Sequence, residues 1–215
     1  MKTILMTGFD PFGGEAVNPA LETVKALDGR VLGDTRICVL EVPTVRGKCV
    51  NRVVQAIGEL DPFAVICVGQ AGGRAEITPE RVAINVDDFR IKDNEGNQPV
   101  DEPIDPNGPS AYFSTLPIKA MVEAMRSKGI PASVSNTAGT FVCNHLFYGL
   151  MRYLDVEGKG RIGGFVHIPY LPEQAVRFPG QPSMSLDCTV EGLFAALQAV
   201  LDNRTDLRVS GGREC

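Results

Sequence analysis

Short apolar runs that read as strands alternate with stretches of helical period along most of the 215 residues, and this order restricts the fold more than any other feature. The strand-like runs are Thr3–Phe9, Arg36–Val42, Ala64–Val68, Ala132–Ser135 and Gly164–Ile168. The helical stretches are Pro19–Leu27, Val50–Leu60, Ile118–Lys128, Phe141–Leu154 and Val190–Leu201. Strand and helix in alternation are the signature of parallel strands covered by helices, so the pattern predicts a three-layer α/β/α sandwich around a mostly parallel, twisted sheet. The alternation lapses between Val68 and Ile118. Arg81–Lys92 reads as a strand or hairpin there, and Asp93–Pro117, crowded with Asp, Asn, Gly and Pro, as a long ordered loop that walls a site or meets a partner subunit. With 44% hydrophobic and 22% charged residues the chain can bury one sizeable core, and 1–215 reads as a single domain.

Charge and cysteine spacing remove several classes of function. A formal net charge of -5 with no basic run speaks against a nucleic-acid partner, and no apolar stretch is long enough to cross a bilayer. Met1–Gly8 is too short in its apolar part for a secretory leader and reads as a first strand. The six cysteines, Cys38, Cys49, Cys67, Cys143, Cys188 and Cys215, contain no C-x-x-C pair, which argues against a zinc ribbon or a disulfide framework and for a reducing cytoplasm. Two histidines without an acidic cluster at ligand spacing predict no metal, and no cofactor is expected: the Gly-rich peptides Gly8–Gly14 and Gly69–Gly73 carry neither G-K-[ST] nor a dinucleotide fingerprint. The polar tail Asn203–Cys215 is expected on the surface.

In a doubly wound sheet ligands bind at the carboxyl ends of strands, and four unusual peptides fall there. They are Gly8-Phe-Asp-Pro-Phe-Gly-Gly14, Gly69-Gln-Ala-Gly-Gly-Arg74, Asn136-Thr-Ala-Gly-Thr-Phe-Val-Cys143 and His167-Ile-Pro-Tyr170. Cys143 follows a Gly139 turn and opens a helix, where unpaired N–H groups and the helix dipole favour thiolate and can receive an oxyanion. A packed core thiol is the competing reading, because Cys143, Leu146, Phe147, Leu150, Met151 and Leu154 form one helical stripe. The other cysteines read as inert. Of the two histidines, His145 lies two residues beyond the thiol, roughly 200° around the helix, and should point away from it. His167 ends a strand and is the candidate base. Glu80, Asp87 and Asp88 compete as the acid that orients the imidazole, and spacing does not choose among them.

At these motifs the chain resembles the pyroglutamyl peptidase I (pyrrolidone carboxyl peptidase) family of cysteine peptidases. The resemblance rests on Gly8–Gly14, Val68–Arg74 with Ile77–Asn85, Thr137–Asn144 and Gly164–Tyr170, and runs from the first strand to about Leu201. It implies a Cys–His–Glu triad at Cys143, His167 and Glu80 and hydrolysis of the amide bond after an N-terminal pyroglutamyl residue of peptides. It also implies an α/β fold akin to nucleoside phosphorylases, a cytoplasmic location and a homo-oligomer, tetramer or dimer.

Pyroglutamate is a flat, uncharged lactam, so its recognition calls for an aromatic slot with a few fixed polar groups. Phe9, Phe12 and Phe141, beside Asn18 and Gln70, are the expected substrate-binding residues, and Arg90 the expected side-chain aid to the backbone N–H groups at the oxyanion. Two other readings compete: a nucleoside or sugar-phosphate transferase using the Gly loops, and a non-catalytic module that binds lactams or peptide ends with Cys143 merely packed.

Overall fold

A computed structural model describes residues 1–212. In chain order its elements are β1 (Lys2–Phe9), α1 (Pro19–Lys25), β2 (Val31–Leu32), β3 (Thr35–Val42), α2 (Lys48–Leu60), β4 (Ala64–Gln70), β5 (Thr78–Pro79), β6 (Val82–Ile84), β7 (Ala111–Phe113), α3 (Ile118–Ser127), α4 (Val142–Glu157), β8 (Ile162–Ile168), α5 (Pro172–Ala175) and α6 (Leu186–Asp202). Helix starts follow local chemistry. Asn18 accepts from Ala20 N ahead of Pro19 at the start of α1, and Ser185 accepts from Cys188 N at the start of α6, each satisfying an otherwise orphaned donor.

Six strands form one sheet in the order β2-β3-β1-β4-β8-β5, and β6 pairs with β7 in a separate two-stranded ribbon. The inner four, β3, β1, β4 and β8, run parallel. Residue alternation along them feeds two cores. Ile4, Met6, Ile66, Val68, Val166 and Ile168 meet α1, α3 and α6, whereas Leu5, Val65, Cys67 and Phe165 meet α2 and α4. Burial on both faces explains why these strands read as continuous apolar runs, each large aliphatic side chain contributing roughly 1.5–3 kcal/mol.

The mostly parallel, nucleoside-phosphorylase-like sandwich does not hold. Both edge strands run antiparallel to their neighbours, and the mixed sheet curls strongly into a half-barrel. At one edge, β2 turns into β3 through Gly33-Asp34, with Gly33 at φ 59°, a two-residue hairpin loop whose positive φ suits glycine. At the other, β5 lies against β8 with Pro79 in an edge strand, where the missing N–H is tolerated. Two-residue strands are too short to show a period, which is why the apolar pattern conceals them. Ala132–Ser135, expected as a strand of the main sheet, instead makes isolated parallel bridges from Ala132 to Ile77 and from Ser135 to Glu80. The long loop Asp93–Pro117 contains β7, and only Val82–Ile84 of Arg81–Lys92 is strand. The tail is anchored by Asp206, which accepts from Lys119 N and Ala120 N at the start of α3, and Cys215 lies outside the described residues. No helix among the described residues is long and apolar enough to cross a membrane.

Candidate active site

Cys143 stands in the first turn of α4, after Gly139 at φ 76°, and no side chain caps that helix at Phe141. Its first-turn N–H groups are therefore left without a capping side chain. The thiol packs over β4: a Cβ added to Gly69 would fall 3.1 Å from Cys143 Sγ and 2.7 Å from Phe165 Cζ, so only glycine admits the sulfur there. Gly69 is the register partner of His167 on the adjacent parallel strand. His167 alternates with Val166 and Ile168 and so shares the α4 face with Phe165, whose ring lies 4.8 Å from the imidazole. Thiol and imidazole thus occupy neighbouring positions on one face, the thiol over Gly69 and the imidazole on its register partner.

The imidazole is held from behind. His167 Nδ1 lies 2.7 Å from Glu80 Oε1, and Glu80 is wholly buried, its own N–H donating to Phe165 O. Arg74, the last residue of the Gly loop after β4, donates through Nη1 to the same Oε1 at 2.6 Å and to Thr78 Oγ1, and through Nη2 to Thr137 O. Burial works to raise the Glu80 pKa, but the His167 hydrogen bond and the charges of His167 and Arg74 outweigh it, and the net shift is downward. Glu80 is the anion, so Nδ1 carries the imidazole proton and Nε2 offers its lone pair outward.

Burial lowers the His167 pKa against the opposing pull of Glu80, and the charge of Arg74 adds to the lowering. Burial also pushes the Cys143 thiol up to about 12, aided by the charge of Glu80 and opposed by Arg74. The helix start favours the thiolate and desolvation opposes it, so the two act on the Cys143 sulfur in opposite directions.

The second histidine sits in a different cage. His145 is buried, with Nδ1 2.9 Å from Asp87 Oδ2 and Nε2 accepting from Gly47 N at 2.9 Å. Arg46 donates to Asp87 at 2.7 Å and pairs with Glu102 at 2.8 Å. Asp87 therefore belongs to His145, and Asp88 is exposed. Among the expected substrate contacts, Phe12 and Phe141 have ring centroids 6.1 Å apart, and Phe89 meets Phe141 edge-on at 4.8 Å. Phe9 is buried against Phe165, in the same core cluster as the thiol. Asn18 caps α1 and donates to Asp10 O, while Gln70 Oε1 accepts from Gln174. Arg90 is exposed and follows the packed Phe89.

Cys49 and Cys67 are buried with pKa values raised by desolvation, and no group of three or more His, Cys, Asp or Glu among the described residues could hold a metal. Cavity size does not mark the chemistry. A cavity of about 970 Å³ opens near Lys2, Phe63 and Ile162 at the opposite ends of the strands, whereas one of about 350 Å³ adjoins Arg74, Thr78 and Ser133–Thr137.

A profile of the pyroglutamyl peptidase family matches residues 2–203. The chain belongs to that family. It is 58% identical over 215 residues to the pyrrolidone-carboxylate peptidase of Vibrio campbellii, covering 100% of both chains, and 56% identical over 212 residues to that of Bacillus mycoides, covering 99% of both. The crystal structure of pyroglutamyl peptidase I from Bacillus amyloliquefaciens superposes with a TM-score of 0.95 at 52% identity, over 97% of this chain and 99% of that one. A mutant pyrrolidone carboxyl peptidase from Pyrococcus furiosus gives 0.90 at 40% identity, over 93% and 98%. Membership leaves no ground for the transferase or the non-catalytic reading.

Proposed function

We propose that Cys143, His167 and Glu80 are the catalytic groups of this cysteine peptidase, which cleaves the amide bond after an N-terminal pyroglutamyl residue. The observation that carries the assignment is the single open imidazole nitrogen: His167 Nδ1 is tied to a buried anion, and Nε2 faces the side of the sheet on which the thiol packs. With Nδ1 tied to Glu80, His167 acts as a general base through Nε2. Nε2 takes the Sγ proton as sulfur attacks the pyroglutamyl carbonyl carbon, and the imidazolium then protonates the departing amine. The thioester so formed is hydrolysed by water that His167 deprotonates, which releases pyroglutamate and returns the proton to sulfur.

The developing oxyanion is met by first-turn N–H groups of α4, with Arg90 the positively charged side chain nearest in sequence to the Phe89–Phe141 contact. Phe12 and Phe141, packed against each other, offer an aromatic wall to the lactam ring, and Gln70 offers its amide to the ring's polar edge. Phe9 shapes the slot from beneath, and Asn18 holds the β1 rim peptide through Asp10. Leaving the slot's polar groups unpaired disfavours prolyl and other N-termini. The chain works in the cytoplasm as a dimer or tetramer, a reading supported by cysteines that stand free among the described residues and by Phe113, 68% exposed on the wall of the 970 Å³ cavity.

A chromogenic pyroglutamyl amide, assayed beside its prolyl and glutaminyl counterparts before and after thiol alkylation, tests this directly. Turnover should be confined to the pyroglutamyl amide and abolished by alkylation of Cys143. Equal turnover of the prolyl amide, or full activity in Cys143→Ala, would defeat the assignment.

A further inference from the structure

Arg74 lies outside the triad, yet the triad's anion is built around it. Glu80 Oε1 receives both His167 Nδ1 at 2.7 Å and Arg74 Nη1 at 2.6 Å, while Oε2 is buried without a donor among the described residues. A carboxylate with zero exposure and one hydrogen-bonded oxygen loses its hydration with little in return, and it would take up a proton unless a cation offset that loss. The guanidinium is the only arginine or lysine group paired with Glu80 among the described residues, and it is less exposed than most cations, at 27%. The fork also ties two segments together: Thr78 and Glu80 in and just after β5, and the carbonyl of Thr137, six residues before Cys143. Thr78 in turn contacts His167 O.

We propose that Arg74 is a positioning residue for the peptidase reaction: its guanidinium keeps Glu80 ionised and in place, so that His167 holds its proton on Nδ1 and keeps Nε2 open to the thiol. The inference rests on the assignment of Cys143, His167 and Glu80. A proton entering the Glu80–His167 pair has two resting places, and both disarm the base. On the imidazole it makes the cation, which has no lone pair. On the carboxylate it turns the hydrogen bond around, so that Nε2 must carry the ring proton instead. Arg74 repels that extra proton in either position, which extends the active form toward acid pH. The downward direction of both the Glu80 and the His167 pKa, each with Arg74 among its causes, agrees.

The test is the pH dependence of kcat and KM for a pyroglutamyl amide in Arg74→Gln and Arg74→Lys, each checked for the native circular dichroism spectrum. Arg74→Gln should lower kcat about 10- to 100-fold near pH 7 with KM changed less than about threefold, and should move the acid limb of the kcat profile to higher pH. Arg74→Lys keeps the charge but not the fork, so its acid limb should stay near that of the wild type while kcat recovers only in part. If Arg74→Gln does not fold, Arg74→Lys alone decides: a wild-type kcat in that variant overturns the fork. A folded Arg74→Gln protein with the wild-type kcat, or with a reduced kcat and an unmoved acid limb, also overturns the proposal. Cys143→Ala assayed alongside separates the two levels, since turnover surviving in that variant would remove the site assignment itself rather than the clamp.

Discussion

The chain has two histidines, and each forms a buried pair with a carboxylate that an arginine holds: His167–Glu80–Arg74 at the sheet rim and His145–Asp87–Arg46 behind α4. The difference lies at the other ring nitrogen. His145 Nε2 accepts from Gly47 N, so both its nitrogens serve the fold and stitch the turn before α2 to the second residue beyond Cys143. His167 Nε2 has no protein partner among the described residues, and glycine at position 69 leaves the adjacent space to sulfur. The same dyad is structural when its outer nitrogen is occupied and chemically useful when it is open. Dyad geometry alone therefore does not identify a base.

Swapping the roles in mutagenesis is the strongest way to break this contrast. His167→Ala should lower kcat/KM about 10³- to 10⁴-fold, as expected when a general base is removed, and should also destabilise the fold by roughly 1–3 kcal/mol because buried Glu80 loses its partner. His145→Ala should keep kcat/KM within about threefold in the folded protein but destabilise it by roughly 1–3 kcal/mol in urea, because Gly47 N–H and Asp87 lose their buried partner. A collapse of turnover in folded His145→Ala would erase the distinction. The carboxylates sharpen it at somewhat smaller scale: steady-state kinetics should show Glu80→Gln about 10²- to 10³-fold slower, while Asp87→Asn should chiefly lower Tm. The opening over β4 comes next. Gly69→Ala places a methyl against the sulfur, and the displaced thiol should cost about 10- to 100-fold in kcat without abolishing folding.

The smallest expected effect is on acid stability. His167 has its folded pKa lowered, so below the unfolded value of about 6.5 the unfolded chain binds a proton that the native chain refuses. Its contribution is full above that pH and falls as pH drops, by at most about 1.4 kcal/mol per pH unit for one proton. Glu80, also lowered, contributes above the ordinary carboxylate range and loses that contribution at still lower pH. Thermal melts between pH 7.5 and 5 should show Tm falling below about 6.5, less steeply in His167→Gln; identical slopes in the two proteins would assign the acid sensitivity elsewhere.

What the sequence disclosed follows from how far each signal reaches along the chain. Long elements announce themselves by period, and β1, β4, β8, α4 and α6 lie close to where their apolar spacing places them. The facing argument for His145 also stands, because a two-residue offset on a helix needs no tertiary information. Pairing direction is different: β2 and β5 are two residues each, carry no pattern, and make the sheet mixed. Glu80, Asp87 and Asp88 are indistinguishable by spacing because long-range packing decides which acid meets which histidine, across 87 and 58 residues. Arg74 was inside a motif already noticed, but an arginine ending a Gly-rich loop looks like a solvated surface charge until Glu80 folds beneath it.

The central claim is that one sulfur, served by the open nitrogen of His167, carries the pyroglutamyl group between two chemical steps. Acid-quenching the enzyme during turnover of a pyroglutamyl ester, followed by peptide mass mapping, reads that intermediate directly. The account predicts a pyroglutamyl thioester on Cys143 and on no other cysteine, accumulating less in His167→Ala. A modification on a different residue, or rapid turnover with Cys143 never acylated, would contradict it.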